Sequence, residues 1–488
     1  MIRRLLSPLL VLVSLTAMIA AVFVRNLNPF PDPAGAVATF NSSGDIDGTG
    51  AFFQSLGTNG RTCATCHRLD QAMSLSSRRV QSIYRESHGN DPLFAAVDGA
   101  NCPTDEVGQR ASHSLLLDRG LIRIGLPLPS NREFSISVVH DPYGCAITHD
   151  PNTGADIVSV YRRPLPTTNL RFLSAVMFDG RETILPLTSA STFPVSLEAD
   201  LKQQALDATL GHAQAAMAPS DAQLNEIVNF ELGLTTAQMM VRGAGLLDKH
   251  RASGGPVGLA NQAYYPGIND TLGADPTGGA FNSSAMTLFS AWDSANGSSP
   301  AEYEDGSEMR GRIAAGEKIF NTAVATITDV RGLNDNPALG SPAVIKGTCT
   351  TCHDTPNVGN HSLPLPLDIA TSREIAFESN PNVVAGLGKL SPPDLPVFEV
   401  SGCADSVNPA VKVRYYTSDP GKALISGKCS DVNRGKGPVL RGLAARAPYF
   451  HNGAAANLQQ LVDFYNERFE MNLTAEQKEE LVAFLNSL

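Results

Sequence analysis

Apolar positions in this 488-residue chain fall into three patterns. The first is continuous: after Met1-Ile2-Arg3-Arg4, the chain runs apolar from Leu5 to Val24, broken only by Ser7, Pro8, Ser14 and Thr16. A short basic leader before such a run is an export signal, and about twenty apolar residues also suffice to span a bilayer. Residues 1–30 are therefore read as a signal peptide or an N-terminal membrane anchor, and either delivers the remainder to the periplasm. The second pattern is helical. Leu201 to His212 and Ser220 to Val241 read as amphipathic helices; in the latter Leu224, Ile227, Val228, Leu232 and Leu234 form the stripe and Ser220-Asp221 supplies the N-cap. Ala51 to Leu56 and Arg312 to Asn321 are shorter helical stretches. Asn457 caps a helix with Leu458, Leu461, Val462 and Tyr465 on one face, and Thr474 with Gln477 forms a capping box ahead of a last helix carrying Leu481, Val482, Phe484, Leu485 and Leu488. The third pattern is β-like: Phe134 to Val139 and Ile157 to Val160 are expected to pair as a small hairpin. Gly254 to Gly306 is rich in Gly, Ser, Asn and Pro and reads as a long connection. The expectation is a mainly α protein with loop-rich insertions and a minor β-hairpin.

A formal charge of -11, spread without long runs of one sign, argues against nucleic acid as a partner. It suits a soluble surface and also the docking of a basic donor protein. Eight cysteines are present. Four lie in two copies of one pattern, Cys63-Ala64-Thr65-Cys66-His67 and Cys349-Thr350-Thr351-Cys352-His353. Two thiols at this spacing followed by histidine is the attachment pattern of c-type haem: the thiols add to the vinyl groups, and His67 or His353 binds iron from one side. Two covalently attached haems are expected. Cys102, Cys145, Cys403 and Cys429 remain, an even number in an oxidising compartment; of three pairings, Cys102–Cys145 and Cys403–Cys429 keep each bridge within one half.

Function then turns on the second axial position of each iron. An iron with two strong protein ligands passes electrons, whereas one with a free or labile site binds peroxide or oxygen.

Arg162-Arg163-Pro164-Leu165-Pro166-Thr167-Thr168-Asn169 with Phe178-Asp179-Gly180-Arg181, and Ala447-Pro448-Tyr449-Phe450-His451-Asn452-Gly453 with the helix that follows, resemble the two conserved blocks of the bacterial dihaem cytochrome c peroxidases and their MauG relatives. The resemblance spans about Gly48 to Leu488. It implies two tandem class I cytochrome c-like domains, residues 31–300 carrying the peroxidatic haem and 301–488 the electron-transfer haem. In that family the C-terminal iron takes its distal ligand fourteen residues after the motif histidine, Met in peroxidases and Tyr in the MauG branch. Counting from His451 gives Tyr465, with Met471 and His451 as alternatives. The displaceable distal histidine of the N-terminal haem falls on Ile83, so that iron is expected to be open; His88 and His113 are nearby. For the family's acid–base pair, direct counting from Phe178 gives Thr188 and Glu198, whereas the Leu-x-x-Gln-Ala pattern gives Gln204 with His212 and Gln214 beyond. Glu198, Gln204 and His212 are the candidates. Phe178 stands where the family's bridging tryptophan is usual, and Trp292 is the only tryptophan. Calcium between the domains is a further family feature, but Arg163 and Arg446 stand near positions where Asn and Thr are usual.

The reading is a periplasmic dihaem oxidoreductase that reduces hydrogen peroxide with electrons from a donor cytochrome or small copper protein. Its rivals are an oxidase of protein side chains, a dihaem oxygenase of an apolar substrate, and a pure electron carrier.

Overall fold

Strand pairs distant in sequence set this architecture. The computed structural model describes residues 23–173, 175–183, 193–262, 282, 284–293, 306–353, 366–373, 393–404 and 410–488. Gly35–Asn41 lies antiparallel to Leu234–Val241 in a four-stranded sheet with Phe30–Pro31 and Gly245–Leu246. Ser135–His140 pairs with Val397–Ala404, which pairs in turn with Lys412–Thr417. Ile122–Pro127, Asp156–Arg162 and Ile147–His149 make another three-stranded sheet. The chain is 34% helical and 20% strand, with five small sheets among the described residues. This overturns the expected mainly α fold of tandem cytochrome c-like domains with one hairpin.

The reason is that local periodicity cannot see a strand whose partner is hundreds of residues away. The two β-like runs do not pair with each other: one joins the Val397–Ala404 sheet and the other the Ile122–Pro127 sheet. The helix read as Ser220 to Val241 stops at Gly233, and Leu234–Val241 is a strand. Its β-branched Thr235 and Thr236 favour the extended chain. The helix read as Leu201 to His212 spans Phe193–Gly211, and Ala51 to Leu56 is reduced to a 3₁₀ turn at Ala51–Phe53. Two more of the expected helices stand at Leu458–Arg468 and Ala475–Leu485, with Ser307–Thr322 covering Arg312 to Asn321. Asn457 caps Leu458–Arg468 through a 3.0 Å bond from Gln460 N, and Thr474 and Gln477 form the capping box of Ala475–Leu485. Of the long connection, Gly255–Ala260 is helical and Ser290–Trp292 a 3₁₀ turn; much of the rest lies outside the described residues.

Sheet and core both cross residue 300. Val241, Leu247 and Met286 share one buried cluster with Ile313, Phe320, Leu481 and Phe484. Two disulfides lie one within each half: Cys102–Cys145 joins two loops, and Cys403–Cys429 ties the strand Val397–Ala404 to the 3₁₀ turn Cys429–Asp431. Of the leader, residues 1–22 lie outside the described residues, while Phe23–Val24 pairs with Ile46–Asp47. No helix of the described residues is long and apolar enough to cross a membrane.

Sheet edges position the site. Asn169 is fully buried with φ +60°, a left-handed conformation that Asn tolerates. Its side chain accepts from Thr236 N (3.0 Å) and donates to Thr236 O (2.8 Å). The Thr168, Thr236 and Thr39 hydroxyls continue this chain at 2.8 Å each. The segment Arg163-Pro164-Leu165-Pro166 is thereby pinned to the sheet, and it is this segment that divides the two cavities described next.

Candidate functional site

Each Cys-x-x-Cys-His motif opens on its own cavity. The first is lined by Cys63, Cys66 and His67, the second by Cys349, Cys352 and His353. They are nearly equal in size, about 1580 and 1740 Å³ of non-atom space with the mouths included. Residues 163–166, Phe178, Lys436 and His451 line both and form the common wall. Phe178 stacks on His451 with centroids 4.5 Å apart at 13°, and Arg162 lies 5.0 Å from its ring centre. The position that the resemblance assigns to a bridging aromatic is therefore filled by a phenyl ring between the cavities. Gly435 is required here, because a Cβ would sit 2.1 Å from the Phe178 ring. Trp292 packs on Phe289 in the core and lines neither cavity.

The first cavity is polar at one end. Asp98, buried, pairs with both Arg61 and His212 Nδ1. Burial works to raise its pKa, but the bond from His212 and the charges of His212 and Arg61 outweigh this and leave it lowered. The His212 segment is held against the loop before Cys63: Asn59 Nδ2 donates to His212 O (2.8 Å), and a Cβ on Gly57 would meet Ala213 O at 1.8 Å. Gln204 also lines this cavity. Glu198 does not: its side chain is exposed on the Phe193–Gly211 helix. Thr188 lies outside the described residues. His67 Nδ1 sits 3.3 Å from Met73 O, the kind of backbone partner that orients a metal-binding imidazole.

One acid in this cavity escaped the sequence reading. Glu231 is buried, with Oε2 lacking a hydrogen-bond partner among the described residues, and burial pushes its pKa up to about 8. The signal was available: Leu224, Ile227, Val228 and Glu231 share one helical face. A carboxyl on an apolar stripe is the anomaly to read. Asp98, by contrast, sits in a four-residue helix with no such pattern.

Aromatic and aliphatic side chains dominate the second cavity. Tyr465 faces His353 at 6.1 Å between ring centroids, within a cluster of Phe450, Phe464 and Phe469. Burial holds its phenol well above the ordinary pKa. Met471 lines the cavity too, whereas His451 is engaged by Phe178, by Ser372 Oγ at 3.1 Å and by Asp419 at 3.8 Å. In the common wall Arg162 bridges buried Asp179 (2.5 Å) and Asp419 (2.6 and 2.9 Å).

The residues fit covalent haem. The four motif cysteines are free of disulfides while the other four are paired. Burial pushes the thiols of Cys63, Cys66 and Cys349 up to about 12, 11 and 12, which keeps them neutral against an apolar space. Lys436 and Arg446, both buried in the cavity walls, are cations that the propionates of a haem would meet. Among the described residues no carboxylate pairs with either, and burial pulls their pKa values down to about 8 and 10. Ile83 is buried in an apolar cluster beside Cys66. His113 has both ring nitrogens engaged, Nδ1 at 2.8 Å from Gly99 O and Nε2 accepting from Gly108 N at 3.2 Å, and His88 is a left-handed helix cap.

Three curated proteins are similar to parts of this chain. A cytochrome-c peroxidase of Denitromonas iodatirespirans (IdrP2) is 31% identical over 150 residues, 29% of this chain and 36% of that protein. Another from Pseudomonas sp. strain SCT (IdrP1) is 29% identical over 109 residues, 20% of this chain and 29% of its own length. A cytochrome c551 peroxidase of Nitrosomonas europaea is 34% identical over 107 residues, 19% of this chain and 32% of its own. The matches thus span about a third of each relative's length. No protein-family model matches the chain.

Proposed function

We propose that the chain is a dihaem c-type peroxidase-like oxidoreductase of the periplasm. Hydrogen peroxide reacts in the first cavity, and the second relays electrons from a donor cytochrome or small copper protein. The supporting observation is the pair of cavities, each lined by one attachment motif, with Asp98 paired to His212 Nδ1 in the wall of the first. The similarity to cytochrome-c peroxidases agrees with it.

Cys63 and Cys66, and Cys349 and Cys352, would hold the two macrocycles, with His67 and His353 as iron ligands and Tyr465 closing the second iron. When bound, the haems supply the redox chemistry of peroxide reduction, a two-electron, two-proton conversion to water. The protein's part is the protons. Asp98 holds His212 through Nδ1, which leaves Nε2 to take a proton from one peroxide oxygen and return it to the other. Gln204 contributes an amide donor beside it. A second reading, oxidation of side chains on a partner protein, is favoured by Tyr465 in place of a methionine; the phenyl ring of Phe178 counts against it, being hard to oxidise.

The test is the ferric spectrum of the holoprotein with and without peroxide, followed by steady-state oxidation of reduced cytochrome c. One high-spin haem that responds to peroxide is expected. Two low-spin, unresponsive haems would make the protein an electron carrier.

A further inference from the structure

The calcium implied by the resemblance does not fit the residues present. Where it would sit, between the two halves, the Arg163 guanidinium donates to three backbone carbonyls: Leu75 (2.5 Å), Arg119 (3.0 Å) and Arg446 (2.6 Å). The first two belong to the N-terminal half and the third to the C-terminal half. Arg163 N also donates to His451 O at 2.7 Å. Carbonyl oxygens converging on one centre are what a hard divalent cation recruits; here a planar five-donor cation takes them instead. Gly120 permits the fit, since a Cβ there would lie 2.5 Å from Arg163 Nη1. Arg446 brings a second guanidinium to the same wall, its Nη2 on Val439 O at 2.5 Å and its Nε without a partner among the described residues. No cluster of three or more His, Cys, Asp or Glu side chains able to hold a metal occurs among the described residues.

We propose that Arg163 is a built-in replacement for the interdomain metal ion, so that the junction between the halves is independent of calcium. A divalent ion added here would meet two guanidinium groups and carbonyls that already accept from Arg163. Burial and the neighbouring Arg446 pull the Arg163 pKa down to about 9, which still leaves it charged at neutral pH. The covalently tethered replacement cannot be chelated or diluted away.

The experiment uses the full holoprotein and reads metal content and thermal unfolding, neither of which depends on turnover. Wild type is expected to carry no stoichiometric calcium after dialysis and to unfold at the same temperature in EGTA and in millimolar calcium chloride. Arg163→Asn, which frees the carbonyls, is expected to unfold at a lower temperature and to regain part of the loss with calcium; Arg163→Lys keeps the charge and stays unresponsive. One equivalent of calcium per wild-type chain, with a lower unfolding temperature on its removal, overturns the proposal. So does an Arg163→Asn variant as stable as wild type. If that variant fails to fold, the wild-type measurement decides alone. Haem content, from the pyridine haemochrome spectrum of the same samples, tests the functional reading separately.

Discussion

The two cavities are twins in volume and in attachment chemistry, yet they differ in what the polypeptide places around them. The first gathers Arg61, Asp98, His212, Gln204 and Glu231; the second gathers Phe320, Phe450, Phe469, Tyr465 and Met471. A site that only passes electrons needs burial and two firm ligands. Breaking an O–O bond also needs a proton carrier within reach. The duplicated motif is what the cavities share, and the proposed division of labour rests on the side chains that differ between them.

The largest way to break this contrast is His212→Ala. Loss of a positioned acid–base group costs roughly 10²–10⁴ in rate, so kcat/KM for peroxide should fall by about that much with both haems still attached. A loss below tenfold would place the proton carrier elsewhere. Asp98→Asn should cost less and should shift the pH profile, because Asp98 acts by orienting His212 rather than by touching peroxide.

Next in size is the wall that keeps the cavities apart. Arg162→Ala removes the cation that Asp179 and Asp419 share, leaving Asp179 to Arg181, and breaking a buried pair costs about 3–5 kcal/mol. Burial works to raise both carboxyl pKa values, but Arg162, with Arg181 beside Asp179 and His451 beside Asp419, outweighs it and each is lowered in the folded protein. A depressed folded pKa contributes stability that is full above the ordinary Asp value of about 3.9 and is lost as pH falls below it. Wild type should therefore lose unfolding temperature on acidification faster than Arg162→Ala does, a comparison that scanning calorimetry at several pH values resolves.

Much of the site was legible because covalent attachment and helix capping are local. Each five-residue motif marks a cavity wall, and Asn457, Thr474 and Gln477 announce where the last two helices begin. Both disulfide pairings followed from keeping each bridge within its half. What failed was long-range. The strand Leu234–Val241 looks like the tail of a helix until Gly35–Asn41 arrives some two hundred residues upstream to pair with it. The same holds for the acid–base register: counting from Phe178 gives Glu198, which is exposed, whereas the pattern match gives Gln204 and His212, which line the cavity. Asp98, more than a hundred residues before His212, carries no sequence mark of its own.

The second cavity is sharpened by Tyr465→Phe. If the phenol oxygen binds iron, its proton must leave first, since burial favours the neutral form. Removing that oxygen should change the ligand-field bands of the C-terminal haem and raise its midpoint potential, because an anionic ligand favours the ferric state. Peroxide binding in the first cavity should be unchanged. An unaltered spectrum would leave Tyr465 a packing residue.

The smallest effect tests Glu231, an acid of the first cavity with no counterpart among the described residues that line the second. Glu231 has a folded pKa raised to about 8 by burial, against about 4.3 for an exposed Glu. For a raised carboxyl the sign is opposite to that of Asp179: the stability it contributes is complete below the unfolded value and is lost as pH rises towards the folded one. Glu231→Gln removes the titration while keeping shape and a hydrogen-bonding group. The variant should match wild type near pH 4 and become progressively more stable than wild type between about pH 4 and 8, by at most a few kcal/mol. A constant difference across that range would mean that Glu231 is already ionised in the folded protein, with its charge met by a partner other than the described residues. In that case the polar end of the first cavity would extend from His212 across to the helix that carries Glu231.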